Sequence, residues 1–295
     1  MKTFNEFIES GEVAQAKTTV DVICVGDIYP GRNVEHKSLG FGYGYPFAKI
    51  GDHLACDVLM GNLEGVVSDL YGTQIRLKTT PRLSMSKSWI PELKKLGFSI
   101  VNVANNHFND YGNAGAVNTI KELADNGIVA VGGEHQIWIH EQNGIDIGFL
   151  GCIDEGMFGF AKCEGLMILD NILAEVRNLK ESCDHVIVNV HMGTEYADKA
   201  NDRQEAIAKR IVDNGASAVI FHHSHVVQPV TMYKDAVIAY SLGNFIFDQT
   251  QPGTQQGLSV KMTFEKSGLK IVQTSKHNIN DYVIEYNPWQ VEVAR

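Results

Sequence analysis

Eight short, continuous apolar runs constrain the fold of this chain more than any other feature: VDVICV (20–25), DVLM (57–60), SIVNVA (99–104), IVAV (128–131), IDIGFL (145–150), HVIVNV (185–190), SAVIF (217–221) and AVIAYSL (236–242). Runs of this length with little polar alternation suit strands buried on both faces. Helical periodicity fills several of the gaps between them. Asn113 to Asn126 stops at Gly127, Asp170 to Ser182 spaces Leu173, Val176 and Leu179 by three residues, and Asn201 to Asn214 carries Ile207, Ile211 and Val212 before Gly215. Strand alternating with helix predicts an α/β sheet. Near the C-terminus, LSVKMTF and LKIVQT alternate apolar and polar residues around Lys266, Ser267 and Gly268, which predicts an antiparallel hairpin. No repeat or Pro/Ser-rich linker divides the 295 residues. They read as one domain, with a core over about 20–248 and a C-terminal hairpin and tail over 249–295.

The unusual polar clusters stand directly after the apolar runs. VDVICV leads into Gly26-Asp27 and Pro30-Gly31-Arg32, DVLM into GNLEG (61–65), and SIVNVA into NNHFNDYG (105–112). HVIVNV leads into HMGTEY (191–196), SAVIF into HHSH (222–225), and AVIAYSL into GNF (243–245). In an α/β sheet these positions are the carboxyl ends of strands, where loops converge and ligands bind. Each cluster alone has an ordinary structural explanation: Asp27 shapes a turn, Asn105 and Asn106 tolerate left-handed backbone, Glu64 is a solvated acid, and His191 is a core histidine. Six coincidental turns would not each carry metal-competent side chains at one end of the strands. The tract His222, His223, His225 is the strongest signal. In extended chain, alternate residues of H-x-H point the same way.

Carboxylate, amide oxygen and imidazole together make a mixed O/N donor set suited to Mn, Fe or Zn, with no thiolate to favour a softer metal. A carboxylate shared by two such ions would serve phosphoester or amide hydrolysis. The five cysteines are scattered and form no CxxC pair, as expected of reduced thiols. A net charge of -10, from 35 acidic against 25 basic residues, argues against nucleic acid as a partner. The N-terminal segment offers no apolar stretch long enough for a signal-peptide core or a membrane helix, so a cytoplasmic location without a membrane segment is expected.

GDIYPGR, GNLEG, NVANNHFNDYG, HMGTEY, FHHSHVVQP and YSLGNFIFD resemble, in the same order, the signature segments of the CapA/PgsA capsule-biosynthesis (poly-γ-glutamate) family, which is related to the calcineurin-like metallophosphoesterases. The resemblance spans Val20 to Asp248. It implies an α/β fold in the form of an αββα sandwich, two mixed sheets flanked by helices. It makes Asp27, Glu64, Asn106, His191, His223 and His225 the metal ligands for one or two ions, with Glu64 the counterpart of the bridging acid. His107 becomes the acid that protonates the leaving group, with Asp110 orienting it and Asp27 also taking a catalytic part. Arg32, Glu195, Tyr196 and Asn244 are expected to position substrate. An ion pair holding the fold is the other reading for Arg32. Three departures stand out: Tyr29 replaces the usual first-strand histidine, which weakens the first metal site; Phe221 and Ser224 replace a usual Gly and Pro; and the membrane anchor common in capsule-assembly members is not expected here.

The expected activity is metal-dependent hydrolysis of a γ-glutamyl-type amide or a phosphoester, with a carboxylate-rich peptide or polymer as the alternative substrate to a phosphoester. Two other readings stay open. One is a metal-independent acid/base epimerase or transpeptidase-like enzyme on the same fold, and the other a non-catalytic polymer-binding subunit of a capsule-synthesis complex.

Overall fold

A computed structural model of the protein describes residues 17–68, 82–133, 137–159 and 163–294. Most of the N-terminal segment considered for a leader lies outside these residues. In chain order the elements begin β1 (Val20–Ile28), α1 (Arg32–Phe41), β2 (Val58–Leu63), β3 (Val66–Val67), β4 (Ser84–Met85), α2 (Trp89–Lys95), β5 (Phe98–Asn102), α3 (Gly112–Asp125) and β6 (Val129–Val131). They continue with β7 (Trp138–Gln142), β8 (Ile145–Ile153), α4 (Glu155–Phe158), α5 (Leu169–Ser182), β9 (His185–His191), α6 (Asp202–Asp213), β10 (Ala218–His222), β11 (Val230–Tyr233) and β12 (Ala236–Ala239). The last are β13 (Asn244–Ile246), β14 (Gln256–Glu265), β15 (Gly268–Asn280), β16 (Val283–Tyr286) and β17 (Gln290–Ala294).

Among the described residues, two mixed sheets form, beside a separate two-stranded β3-β4 pair. The first runs β16-β15-β14-β1-β2-β5-β6, with β13 also paired to β1 and β17 to β15; the second runs β11-β12-β10-β9-β8-β7. β1, β2, β5 and β6 are parallel, as are β8, β9, β10 and β12. The sheets face each other across one apolar layer in which Val22, Cys24, Met60 and Ile100 meet Ile147, Phe149, Ile187 and Ile220. Helices close both outer faces. Val34, Trp89, Leu93 and Leu123 cover the first sheet, and Ile172, Val176, Leu179, Ile207 and Ile211 cover the second. Apolar burial on both faces of each sheet explains why the strand sequences read as continuous runs. The αββα sandwich is thus present.

All eight apolar runs contribute to strands, and the three helices read from periodicity occur as α3, α5 and α6. The α6 start is fixed by a reciprocal cap: Asn201 Oδ1 accepts from Gln204 N at 2.9 Å, and Gln204 Oε1 accepts from Asn201 N at 3.1 Å. The expected hairpin is β14 and β15, which add to the first sheet beside β1. Helices α1 and α2 escaped the periodicity argument. RNVEHKSLGF is mostly polar, and it buries only Val34, Glu35 and Ser38. What holds α1 is the Glu35 carboxylate, which accepts from Tyr43 Oη at 3.0 Å and Trp89 Nε1 at 3.1 Å, contacts that linear spacing does not encode. One glycine is set by close approach: a Cβ on Gly26 would stand 1.9 Å from the Gly243 carbonyl oxygen, where β1 and β13 come together.

Candidate metal centre

The carboxyl ends of β1, β2, β5, β9 and β10 meet where the two sheets converge. Asp27 lies near the end of β1, Glu64 one residue past β2, Asn106 and His107 in the turn after β5, and His191 at the end of β9. β10 ends at His222, so His223 and His225 do not converge by strand alternation. They occupy left-handed backbone, at φ 95° and 59°, and the turn directs their rings inward. That replaces the alternation argument while leaving both imidazoles at the rim.

Asp27, Glu64 and His191 are fully buried, and His223 and His225 are each 3% exposed. His225 lies between the two acids, with Nδ1 3.2 Å from Asp27 Oδ2 and Nε2 3.6 Å from Glu64 Oε1. His191 Nε2 stands 2.7 Å from Asn106 Oδ1. Donor atoms of Asp27, Glu64 and His225 lie within 4.8 Å of one another, and the same holds for Glu64, His191 and His223, and for Glu195, His223 and His225. Glu64 belongs to the first two groups and is the natural shared ligand. The fit to a cation is tested by the polar atoms left over: Asp27 Oδ2, Glu64 Oε1 and His223 Nδ1 are buried and have no hydrogen-bond partner among the described residues, the two oxygens facing the His225 imidazole at 3.2 and 3.6 Å. Orphaned buried groups of that kind are costly unless something electropositive meets them. Two carboxylates with several imidazoles fit Mn, Fe or Zn.

Burial opposes the charged form of Asp27, yet the adjacent His222 and His225 outweigh it and hold the carboxyl well below the usual carboxylate range. Burial and the negative charge of Asp27 leave Glu64 well above its ordinary value despite His225. Burial also pushes His191 well down and His223 down to about 3, while the charges of Glu64 and Asp27 overcome burial to raise His225 to about 9. Neutral His191 and His223 suit ligation; His225 would release a proton on binding an ion.

His107 is nearly buried, its Nδ1 2.7 Å from Asp110 Oδ2, which also accepts from Leu83 N at 2.8 Å. Its Nε2 points toward Glu64 Oε1 at 4.0 Å. Glu195 and Tyr196 are exposed beside the histidine turn, Tyr196 N donating to Ser224 O at 2.9 Å. Arg32 forms an ion pair with Asp248, its guanidinium over the rings of Tyr29 and Phe247. Asn244 requires a correction. It is fully buried, its Nδ2 donates to Gln249 and Thr254, and its Oδ1 contacts His225 Nδ1 at 3.1 Å, so it holds that imidazole and does not face a substrate. Tyr29 is no surrogate for the absent histidine, since its hydroxyl donates to Ser84 O at 3.0 Å. Two residues to which the sequence assigned no ligand or substrate role touch Asp27: His222, from the histidine tract, whose Nδ1 is 3.3 Å from Asp27 Oδ1, and Asn62, which donates to Asp27 Oδ1 at 2.8 Å. Both stand inside the polar clusters already singled out, GNLEG and HHSH. Two surface clefts of about 490 and 520 Å³ contain none of the proposed ligands.

The family model described as "Bacterial capsule synthesis protein PGA_cap" matches residues 21–249, a span that includes every proposed ligand. The chain belongs to this family. It is 34% identical over 275 residues to the capsule biosynthesis protein CapA of Bacillus anthracis, covering 87% of this chain and 67% of that protein. To the PGA biosynthesis protein CapA of Bacillus subtilis (strain 168) it is 33% identical over 282 residues, covering 87% and 72%. The crystal structure of a hypothetical protein from Thermus thermophilus superposes with a TM-score of 0.54 at 17% identity, covering 91% of this chain and 100% of that one, a likeness of fold alone. Among the described residues of this PGA_cap member, no helix is long and apolar enough to cross a membrane.

Proposed function

We propose that this PGA_cap protein is a divalent-metal-dependent hydrolase that cleaves a γ-glutamyl-type amide or a phosphoester in the metabolism of a capsule or cell-surface polymer. One observation carries the reading: Glu64 is common to two three-residue donor groups, each closed within 4.8 Å and each containing an orphaned buried atom. Asp27, Glu64 and His225 would hold one ion, and Glu64, His191 and His223 with Asn106 the other. Bound Mn, Fe or Zn supplies Lewis acidity and neutralises the charge that accumulates in hydrolytic transition states.

The rest of the chemistry belongs to the chain. Asp110 accepts the Nδ1 proton of His107 and turns its Nε2 toward the centre, so a protonated Nε2 can pass its proton to a departing oxygen or nitrogen. Arg32 is 29% exposed on its side chain and offers guanidinium N–H groups beyond its bond to Asp248 for a substrate carboxylate or phosphate. Phe158 packs its ring 4.9 Å from that of His223 and walls one side of the centre with an apolar face.

The test is turnover of bis-p-nitrophenyl phosphate and γ-glutamyl-p-nitroanilide by the full chain with added Mn²⁺ or Zn²⁺. Metal-dependent release of chromophore from one of them, lowered roughly 10²- to 10⁴-fold in His107→Gln, is expected. EDTA-insensitive deuterium uptake at a peptide Cα would replace hydrolysis with acid/base chemistry. Retained polymer binding without turnover would replace it with a binding subunit.

A further inference from the structure

Asn62 contacts Asp27, Glu64 and His191, and its amide orientation is dictated from behind. Its Oδ1 accepts from Asn102 Nδ2 at 3.0 Å and from Asn105 Nδ2 at 3.3 Å. Asn105 is itself tied down, its Nδ2 donating to Leu63 O at 2.8 Å. With two donors on its oxygen, the Asn62 amide has only N–H to present to the acids. Nδ2 gives a short bond to Asp27 Oδ1 at 2.8 Å, and its other hydrogen is shared by the longer contacts to His191 Nδ1 at 3.4 Å and Glu64 Oε2 at 3.5 Å. The oxygens that Asn62 contacts are Asp27 Oδ1 and Glu64 Oε2; the oxygens left without a hydrogen bond among the described residues are Asp27 Oδ2 and Glu64 Oε1. Those two also face His225.

We infer that Asn62 is a positioning residue that engages one oxygen of each carboxylate and leaves the other for an ion, so that both acids bind through a single oxygen. The inference rests on the metal reading of the centre. It extends that reading to selectivity. Carboxylates limited to one oxygen each, beside several imidazoles, suit a small first-row ion, whereas Ca²⁺ takes six to eight oxygens and often a bidentate carboxylate. The Asp27 contact dominates, because its bond is short and the Glu64 contact is at the long limit of a hydrogen bond. Groups that orient metal ligands from behind typically change affinity roughly 10- to 100-fold when removed.

The experiment titrates full-length wild type and Asn62→Ala with Mn²⁺, following free Mn²⁺ by electron paramagnetic resonance, then repeats the titration with Ca²⁺ as competitor. Wild type is expected to bind Mn²⁺ and resist Ca²⁺. Asn62→Ala should bind Mn²⁺ roughly 10- to 100-fold more weakly and lose much of its discrimination against Ca²⁺. Absence of Mn²⁺ binding by folded wild type would overturn the metal reading itself. Binding by Asn62→Ala within about threefold of wild type, with Ca²⁺ still excluded, would overturn the role of Asn62 and leave the centre standing. If Asn62→Ala does not fold, Asn102→Ala takes its place: it removes one of the donors that fix the amide, and an unchanged Mn²⁺ affinity there overturns the inference equally.

Discussion

Protonation of His277 should cost this protein a large part of its stability under mildly acidic conditions. His277, on β15, is fully buried, with Nε2 2.9 Å from the carbonyl oxygen of Asn244, the residue that holds His225. Its ring lies against Gly257, where a Cβ would come within 2.3 Å of it. Burial lowers its pKa from 6.5 to about 4, with His53 adding a smaller push in the same direction. A histidine whose folded-state pKa is depressed stabilises the fold fully only above the unfolded value, so stability falls as pH drops from 6.5 toward 4. The gap of about 2.5 units corresponds to about 3.4 kcal/mol in the limit, and about 2 kcal/mol is already lost near pH 5. Urea unfolding of wild type and His277→Gln near pH 7 and pH 5 isolates this contribution from the other titrating groups. The advantage of wild type over the variant should shrink by about 2 kcal/mol between the two conditions. An advantage that stays constant, or grows on acidification, would refute the linkage.

Gly26→Ala should destabilise the fold by about 3 kcal/mol or more, because β1 cannot retreat from Gly243 without breaking the bond from Asp27 N to Gly243 O; thermal unfolding reads this directly. Asp110→Asn should lower turnover roughly tenfold or more while leaving Mn²⁺ affinity within about twofold, since it acts through the His107 ring. Saturating Mn²⁺ at about 100 times its dissociation constant should stabilise wild type by about 2.7 kcal/mol, and Glu64→Gln should forfeit most of that gain.

The strands were legible because a sheet buried on both faces requires continuous apolar sequence, and the rim because parallel strands deliver their carboxyl ends to one side. The inner geometry of the centre was less so. Asn62 takes its role within GNLEG from contacts to Asp27, Asn102 and Asn105, roughly 40 residues away in sequence. His223 and His225 reach the rim through a left-handed turn that the H-x-H spacing does not encode. Asn244 shared the rim motif with the proposed ligands, but its side chain turns inward to Thr254 and Gln249, in the loop before β14. Helix α1 carried little apolar periodicity since a buried carboxylate, Glu35, does much of its anchoring.

Asp27, Glu64, His191, His223 and His225 are proposed to form a divalent-metal centre. Elemental analysis of the full chain, purified without chelator and then equilibrated with Mn²⁺ or Zn²⁺ and desalted, tests it most directly. About one to two equivalents of metal are expected in wild type, falling below about half an equivalent in an Asp27→Ala, His223→Ala double variant that remains folded. Less than about a tenth of an equivalent in folded wild type would contradict it.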